Sequence, residues 1–308
     1  MSGRDGGGRE RHSVQHGTPP GPGGAAVRPP PGSSRRAWGR AAHDWAELQE
    51  PLAAPLWEAM LDAAAVGPGM RVLDAGCGVG GASVLAARRG AQVNGLDAAE
   101  ALLAIARTRV PDADFRAGDL DALPYADGTF DAVIAADVLP YVADPAAALR
   151  ALRRVCTPGG RVAIAICAPP AECAQQAIVQ SVREILPRPL GADPFALSAP
   201  GVLYGLVAQA GLVVLGGGTM ACPCVYPDRE TAWLAQASAG PLQAIRRVVG
   251  AAQLKAAVLR ALAPHVTDTG RVCLENHFRY VTAVPREEHR RGELSAPSYQ
   301  EGEQPMPL

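Results

Sequence analysis

The sequence predicts an α/β fold in which a mostly parallel β-sheet is covered by helices on both faces. Between about residues 40 and 285, short runs of apolar and β-branched residues alternate with longer runs rich in Ala, Leu and Arg. This alternation is typical of strand–helix–strand units. A glycine-rich turn follows the first apolar run, and single aspartates close several later runs. In a parallel sheet such residues meet outside the carboxyl ends of the strands, where ligands bind.

The first five strands alternate with helices in regular order, and local signals mark several of their ends. The first predicted helix ends at Gly90, because glycine suits the left-handed position that follows a helix. Asp144 is the predicted N-cap of a later helix whose first residue is Pro145. The predicted strands are 70–75, 91–96, 113–117, 130–136 and 161–167, and the predicted helices are about 82–89, 99–109 and 145–156.

Composition favours a globular enzyme and argues against several other classes. The 308 residues are 48% hydrophobic, which is enough for a sizeable core, and a formal net charge of -1 leaves no basic tract for nucleic acid. No apolar run is long enough to predict a membrane span or a secretory signal. The seven cysteines lack paired spacing, which favours reduced packing residues and a cytoplasmic protein. The pair Cys222 and Cys224 has no second ligand pair, so we expect no metal.

Both ends of the chain are rich in residues that do not build a core. Residues 1–36 are rich in Gly, Pro and Arg, and residues 286–308 are polar with several Glu and Pro. We therefore predict disordered tails around one domain at 37–285.

The glycine-rich turn at 76–81 leaves two ligand classes open. Glycines let the chain turn sharply and let a ligand approach the backbone, while the next helix points its N–H groups at that ligand. Gly76, Gly78 and Gly81 satisfy the dinucleotide pattern G-x-G-x-x-G, and Asp97 lies near the distance expected for an acid that binds a ribose diol. An NAD-dependent oxidoreductase is therefore one hypothesis.

Two features argue against NAD. Asp74 stands two residues before the first glycine, where its charge would repel a pyrophosphate but would suit a ligand with an ammonium group and a sulfonium. The segment 118–120, Gly-Asp-Leu, supplies a further acceptor and a free backbone edge where an adenine amino group can be recognised.

These residues together resemble class I S-adenosylmethionine-dependent methyltransferases. The resemblance rests on V-L-D-A-G-C-G-V-G-G at 72–81, the lone Asp97, A-G-D-L at 117–120, F-D-A-V-I-A at 130–135 and T-P-G-G-R at 157–161. It covers about residues 40–285 and is strongest over 70–167. The family's fold is a Rossmann-like sheet of seven strands with an antiparallel last strand. The resemblance places that last strand at 272–284 and the strand before it at 212–215.

The resemblance also implies a role for each residue of the crevice. Gly76, Gly78 and Gly80 would line the methionine and ribose part of S-adenosylmethionine, and Asp97 would hold both ribose hydroxyls. Asp119 and Leu120 would recognise adenine. Asp74 would orient the glycine turn or the amino group, and Asp137 would lie near the methionine moiety or the acceptor.

The general base of such a reaction stays open in the sequence. Close small-molecule relatives often carry a histidine just after the fourth strand, where this chain has D-V-L-P-Y at 137–141. Methyl transfer is an in-line displacement, so a base is needed only if the nucleophile arrives protonated. The candidates are Tyr141, His43 in a predicted N-terminal helix at 38–49, and His277 on the last strand.

Helices outside the sheet are predicted to cap the site. They comprise about 37–66 and an insertion at about 227–264, and they would build an apolar acceptor pocket. Trp38, Trp45 and Trp57 are predicted either to form an aromatic lid or to pack in the core.

We therefore predict an S-adenosylmethionine-dependent methyltransferase, a monomer or homodimer, that methylates an O, N or C atom of a small apolar or aromatic metabolite. Tailoring of specialised metabolites and quinone methylation are the two acceptor classes considered. A cyclase or binding module that keeps the cofactor without consuming it is the first alternative, and the NAD-dependent oxidoreductase is the second.

Overall fold

A seven-stranded sheet forms the centre of the computed structural model, which describes residues 33–188 and 192–286. The strand order is β3-β2-β1-β4-β5-β9-β6, with β1 to β5 mutually parallel and β9 antiparallel to both of its neighbours. The Rossmann-like sheet with an antiparallel last strand is thus confirmed. The strands are β1 Arg71–Ala75, β2 Gln92–Asp97, β3 Asp114–Ala117, β4 Phe130–Ala136, β5 Cys156–Cys167, β6 Leu212–Ala221, β7 Cys224–Tyr226, β8 Val272–Leu274 and β9 His277–Pro285.

Helices cover both faces of the sheet and form the cap. They are α1 Ser33–Trp38, α2 Ala42–Asp44, α3 Ala54–Ala63, α4 Gly81–Arg88, α5 Glu100–Arg109, α6 Pro145–Val155, α7 Gln175–Glu184, α8 Val202–Gln209, α9 Arg229–Ser238, α10 Gly240–Val249 and α11 Ala251–Leu262.

The alternation of side chains along the strands creates a core on each face. On β1, Leu73 joins the core beneath α6 and α8, whereas Val72 joins the core beneath α3. Because successive strand residues point to opposite faces, a strand buried on both sides needs an unbroken apolar run. This explains why the sheet strands were legible in the sequence.

Several local predictions are confirmed in detail. β4 has the predicted bounds, and Asp144 accepts a hydrogen bond from the Ala147 N–H at 2.9 Å as the N-cap of α6. The insertion between the small strands β7 and β8 folds into α9, α10 and α11, which pack with α7 around a second core. α3 packs on the sheet core rather than on these cap helices.

The predicted last strand at 272–284 is wrong as a single element. β8 leaves the large sheet and pairs with β7, and β9 begins at His277. Asn276, buried between them, accepts a hydrogen bond from Gln175 N–H through Oδ1 and contacts the Cys224 sulfur through Nδ2. These side-chain bonds hold the chain in a bend that a continuous strand would lack.

The predicted N-terminal helix at 38–49 is also wrong as a regular helix. Residues 39–41 form a 3₁₀ turn, α2 is a single short turn, and residues 45–49 form a π-helical turn. Arg109 donates a hydrogen bond to the Ala46 carbonyl at 3.0 Å. A side chain that takes a carbonyl out of the helical ladder is a recognised cause of such irregular turns.

The ends of the chain lie mostly outside the described residues. The predicted tail at 1–36 overlaps the structure only where α1 begins at Ser33, and the predicted tail at 286–308 overlaps it only at Arg286. In residues 33–188 and 192–286, no helix is both long and apolar enough to cross a bilayer. The seven cysteines are all free thiols, and Cys273 is the least buried of them.

Candidate functional site

The glycine turn lies at the carboxyl edge of the sheet, between β1 and α4. Gly76, Gly78 and Gly80 all have positive φ angles, of 81°, 56° and 85°, which L side chains rarely adopt. Space is also restricted, since a Cβ on Gly76 would lie 2.5 Å from the side chain of Val138. A Cβ on Gly81 would lie 2.4 Å from the ring of Trp57. The three predicted glycines are thus required by the backbone itself.

Asp97 ends β2 beside this turn, as predicted. Its Oδ2 accepts a hydrogen bond from the Gly78 N–H at 3.0 Å, and its Oδ1 accepts one from the Ala99 N–H at 2.8 Å. The residue is half-buried, and desolvation raises its pKa. Asp97 therefore ties β2 to the glycine turn.

Asp74 is deeply buried beneath the turn. Its Oδ2 accepts a hydrogen bond from the Ser83 hydroxyl at 2.7 Å, so the side chain ties β1 to the first turn of α4. Burial, with a smaller contribution from the charge of the nearby Asp97, raises its pKa to about 6 despite that bond. Of the two roles that the sequence left open, these contacts support the orientation of the glycine turn.

Glu50, which the sequence analysis missed, binds the same turn from above. Its Oε1 accepts a hydrogen bond from the Val79 N–H at 3.1 Å, its carboxylate also accepts from Gly81 N–H, and Arg109 pairs with Oε2 at 2.8 Å. Only 5% of Glu50 is exposed. An acid between Leu48 and Leu52, directly before Pro51, was the signal available.

The position of Glu50 decides which ligands the turn accepts. N–H groups at the start of a helix are the usual binding site for a phosphate, and here a carboxylate of the chain itself occupies them. Burial raises the pKa of Glu50 to about 7, and Arg109 opposes that rise. The anion position of the dinucleotide pattern is therefore already filled.

Acidic groups surround the turn on three sides. Burial is the main reason that the pKa of the Cys77 thiol rises well above its usual value, and the carboxylates of Asp74, Asp97 and Glu50 add to it. Acids gathered around a partly closed crevice favour a cationic ligand over an anionic one.

Asp119 and Leu120 follow β3 at the same edge. The side chain of Leu120 is buried and packs in the core on the α6 face of the sheet, whereas Asp119 is exposed. The Asp119 carbonyl accepts a hydrogen bond from the Ala122 N–H, which forms a short 3₁₀ turn.

Asp137 directly follows β4 and has a strained backbone conformation. It has a φ of 48°, one of two non-glycine residues of the described chain with positive φ. Strain of this kind is often found at functional sites. The Cys167 thiol lies 3.8 Å from Oδ1, and burial raises the pKa of Asp137 to about 7. The residue as a whole is half-buried.

Tyr141 lies close to Asp137 and belongs to an aromatic cluster. The ring of Trp38 meets Tyr141 edge to face at 5.6 Å and Trp45 at 4.9 Å. A Cβ on Gly240 would lie 2.6 Å from the Trp38 ring, so α10 closes over it. The three rings join the end of β4, the N-terminal segment and the cap, as a lid would.

Trp57, the third predicted lid residue, lies elsewhere. It is buried against Gly81 beneath the glycine turn. Its role is packing, which was the second of the two readings of the sequence.

The two histidine candidates differ in position. His277 begins β9 beside the carboxyl end of β5 and is half-buried, with Nδ1 2.9 Å from the Glu172 carbonyl. His43 is exposed on α2. The structure thus brings Tyr141 and His277 to the edge of the sheet that carries Asp137, whereas the His43 side chain points to solvent.

Comparisons with known proteins agree with this geometry. Residues 73–164 match the model of a family described as "Methyltransferase domain". A demethylmenaquinone methyltransferase of Renibacterium salmoninarum is 42% identical over 106 residues, which cover 34% of this chain and 45% of that protein. A malonyl-[acyl-carrier protein] O-methyltransferase of Erwinia pyrifoliae is 40% identical over 129 residues, covering 41% and 48%. The chain therefore spans about half the length of these relatives.

The fold is shared with a solved structure of low sequence similarity. The YcgJ protein of Bacillus subtilis superposes with a TM-score of 0.52 at 17% identity, covering 75% of this chain and 98% of that one.

Proposed function

We propose that this chain, which carries a class I S-adenosylmethionine-dependent methyltransferase domain, transfers a methyl group to a small apolar or aromatic metabolite. When bound, S-adenosylmethionine supplies a methyl group activated by a positively charged sulfur. Residues at the carboxyl edge of the sheet would bind and orient the cofactor and the acceptor and remove the proton.

The observation that carries the proposal is the carboxylate of Glu50 on the N–H groups of Val79 and Gly81. A diphosphate needs those N–H groups, and it would be repelled by Glu50 and its acidic neighbours. A nucleoside with an ammonium group and a sulfonium is attracted by the same charges. This argument favours S-adenosylmethionine over the NAD alternative.

The roles of the crevice residues follow from their positions. Asp97 stands at the rim beside the turn, where its carboxylate can accept hydrogen bonds from a ribose diol. Gly76, Gly78 and Gly80 leave the backbone open to the ligand, and Asp119 with Leu120 borders the neighbouring strand end, where adenine would lie. Asp74 supports the turn through Ser83.

Asp137 is the group best placed to take a proton from the acceptor. A carboxyl group with a pKa of about 7 is close to the ideal for a general base at neutral pH. Tyr141 lies beside it and stays protonated, because burial and the charge of Asp137 raise its pKa well above the ordinary value. Tyr141 is therefore suited to orient the acceptor with its hydroxyl rather than to act as the base.

The acceptor class rests on the aromatic lid and on the named relatives. Flat apolar rings stack well against Trp38 and Tyr141, and one relative is named for demethylmenaquinone. We propose an aromatic or quinone-like acceptor with a hydroxyl or acidic carbon as the nucleophile. Asp137 removes the proton that this nucleophile loses.

Calorimetric binding of S-adenosylhomocysteine tests the cofactor assignment. We expect binding to the wild type, and a loss of about tenfold or more in Asp97→Ala, since hydrogen bonds to a charged group contribute about 1.5–3 kcal/mol. Asp112→Ala, an exposed aspartate before β3, is the matched control and should bind normally. Binding of NAD in place of the nucleoside would refute the assignment.

Mass spectrometry then tests the reaction. We expect S-adenosylmethionine to be converted to its demethylated product only when an aromatic hydroxylated acceptor is present, with the acceptor gaining one methyl group. Cofactor that stays bound but is never consumed with a panel of such acceptors would favour the cyclase or binding-module alternative.

A further inference from the structure

A cavity of about 390 Å³ lies in the cap, and none of its lining residues belongs to the large sheet or to the turns that follow its strands. It is open to solvent and is lined by the N-terminal segment at 40–44, by α9, by α10 and by the first residues of α11. The proposed methyl transfer uses none of the side chains that line it.

The charged residues of the cavity are mainly basic. Arg40, Arg246 and Lys255 line it together with a single acid, Asp44. Lys255 is paired with Glu230 at 2.7 Å, which leaves the two arginines as the available cations. Arg40 makes one long hydrogen bond, at 3.4 Å, to the Gln243 carbonyl. Within residues 33–188 and 192–286, neither arginine forms an ion pair with a carboxylate.

The start of α11 adds to this positive character. Ala251 and Ala252, its first two residues, line the cavity. The preceding residue, Gly250, supplies no side-chain cap, and the first turn of the helix contains no acidic residue. Such a helix end leaves N–H groups and the positive end of its dipole without a counter-charge. The arginines and the helix end point to the same kind of ligand.

One part of the wall is apolar and is formed by Trp233, Leu234 and Ala237 of α9, next to the polar Ser238 and Gln243. Trp233 is largely buried, and Leu234 is 41% exposed and so presents apolar surface to the cavity. A ligand that fits must therefore join an anionic head to an apolar body.

We propose that this cavity binds a phosphate monoester whose organic part is apolar or aromatic. Two guanidinium groups and a helix N-terminus together offer many hydrogen-bond donors. A carboxylate has only two oxygens to accept from them, whereas a phosphate dianion has three, so a phosphate satisfies more of these donors. The apolar body of the ligand packs on Trp233 and Leu234. This inference stands beside the proposed methyl transfer and does not depend on it.

Phenyl phosphate is the probe that tests the site. Its binding to the full chain is measured by calorimetry and by the fluorescence change of tryptophan, with benzyl alcohol as the uncharged control and phenylacetate as the carboxylate control. We expect phenyl phosphate to bind, and benzyl alcohol to bind at least about tenfold more weakly, because charge-assisted hydrogen bonds are about twice as strong as neutral ones. Phenylacetate should also bind more weakly than phenyl phosphate, because it offers the arginines one negative charge and two oxygens in place of a dianion with three.

A pair of neighbouring variants makes the test specific. Arg246→Ala is expected to weaken phenyl phosphate binding about tenfold, since it removes a hydrogen-bonding cation that lines the cavity. Arg247→Ala, which removes the neighbouring exposed arginine of α10 that does not line the cavity, should change binding less than twofold. Both variants should still bind S-adenosylhomocysteine as the wild type does, which separates this test from that of the methyl transfer.

Three results would overturn the proposal. The first is equal binding of phenyl phosphate and benzyl alcohol, which would leave only an apolar site. The second is equal binding of phenylacetate, which would contradict the phosphate assignment. The third is an equal loss in Arg246→Ala and Arg247→Ala, which would indicate general surface charge rather than this cavity.

Discussion

Replacement of Asp137 by asparagine should stabilise the protein at alkaline pH while removing its proposed base. Burial holds the pKa of Asp137 near 7, against 3.8 for an ordinary aspartate. Asparagine keeps the size of the side chain and tolerates the positive φ of 48° at this position better than most residues. The change therefore removes the charge without adding backbone strain.

The direction of the effect follows from proton binding. Between pH 3.8 and pH 7 the folded protein keeps the Asp137 proton that the unfolded chain releases, so the stability of the wild type falls as the pH rises through this range. The asparagine variant has no proton to release at this position, so its stability does not fall in this way. Each unit of pKa shift corresponds to about 1.4 kcal/mol. From pH 5 to pH 8 the variant should thus gain about 2–3 kcal/mol relative to the wild type.

Urea unfolding at a series of pH values measures this gain, and Asp131→Asn is its matched control. Asp131 lies on the same strand, but its hydrogen bonds with Arg71 lower its pKa. Because the pKa of Asp131 is lower in the folded protein than in the unfolded chain, its carboxylate stabilises the fold at pH values above the ordinary pKa of an aspartate. Asp131→Asn removes that carboxylate and should therefore lose stability at neutral pH. A difference between Asp137→Asn and the wild type that stays constant from pH 5 to pH 8 would refute the reasoning.

Further predictions concern the turn and the cap, each measured by denaturant unfolding at pH 7. Glu50→Ala strands two buried N–H groups and should lower the free energy of unfolding by about 3 kcal/mol, whereas the exposed Glu47→Ala should change it by less than about 0.5 kcal/mol; equal effects would contradict the role of Glu50. Gly81→Ala places a Cβ 2.4 Å from Trp57 and should cost about 1–3 kcal/mol, with partial recovery on adding Trp57→Phe. Tyr226→Phe removes hydrogen bonds of 2.6 and 3.1 Å and should cost about 1–2 kcal/mol, and no loss would mean that water replaces the hydroxyl.

Much of the candidate site could be predicted from the sequence, because the positions of its glycines and aspartates depend on local backbone geometry. The positive φ angles of Gly76, Gly78 and Gly80 are required by the turn itself. Asp97 and Asp137 follow strands whose apolar pattern fixes where they end. Since parallel strands end at one edge, residues far apart in sequence could be assigned to one crevice.

Glu50 and Arg109 show where that reasoning stops. They lie 59 residues apart, and neither belongs to a local pattern that marks a site. Their pairing arises because the N-terminal segment crosses above the glycine turn while α5 passes beside it. Nothing in the spacing of residues encodes that crossing.

The same limit applies to the last strand and to the cap. The apolar pattern of 272–284 reads as one strand, yet contacts of Asn276 with Gln175 and Cys224 bend it into two. The basic cavity of the cap joins residues of four separate elements, from Arg40 to Lys255.

The sequence by itself thus determined the sheet, the glycine turn and the acids at its edge, because each follows from the conformational preferences of neighbouring residues. Only the tertiary structure decided that a carboxylate fills the anion position of the turn and that two arginines line the same cavity as the start of α11. Those arrangements depend on how distant segments pack, and the energy of such contacts is not encoded in any short stretch of the chain.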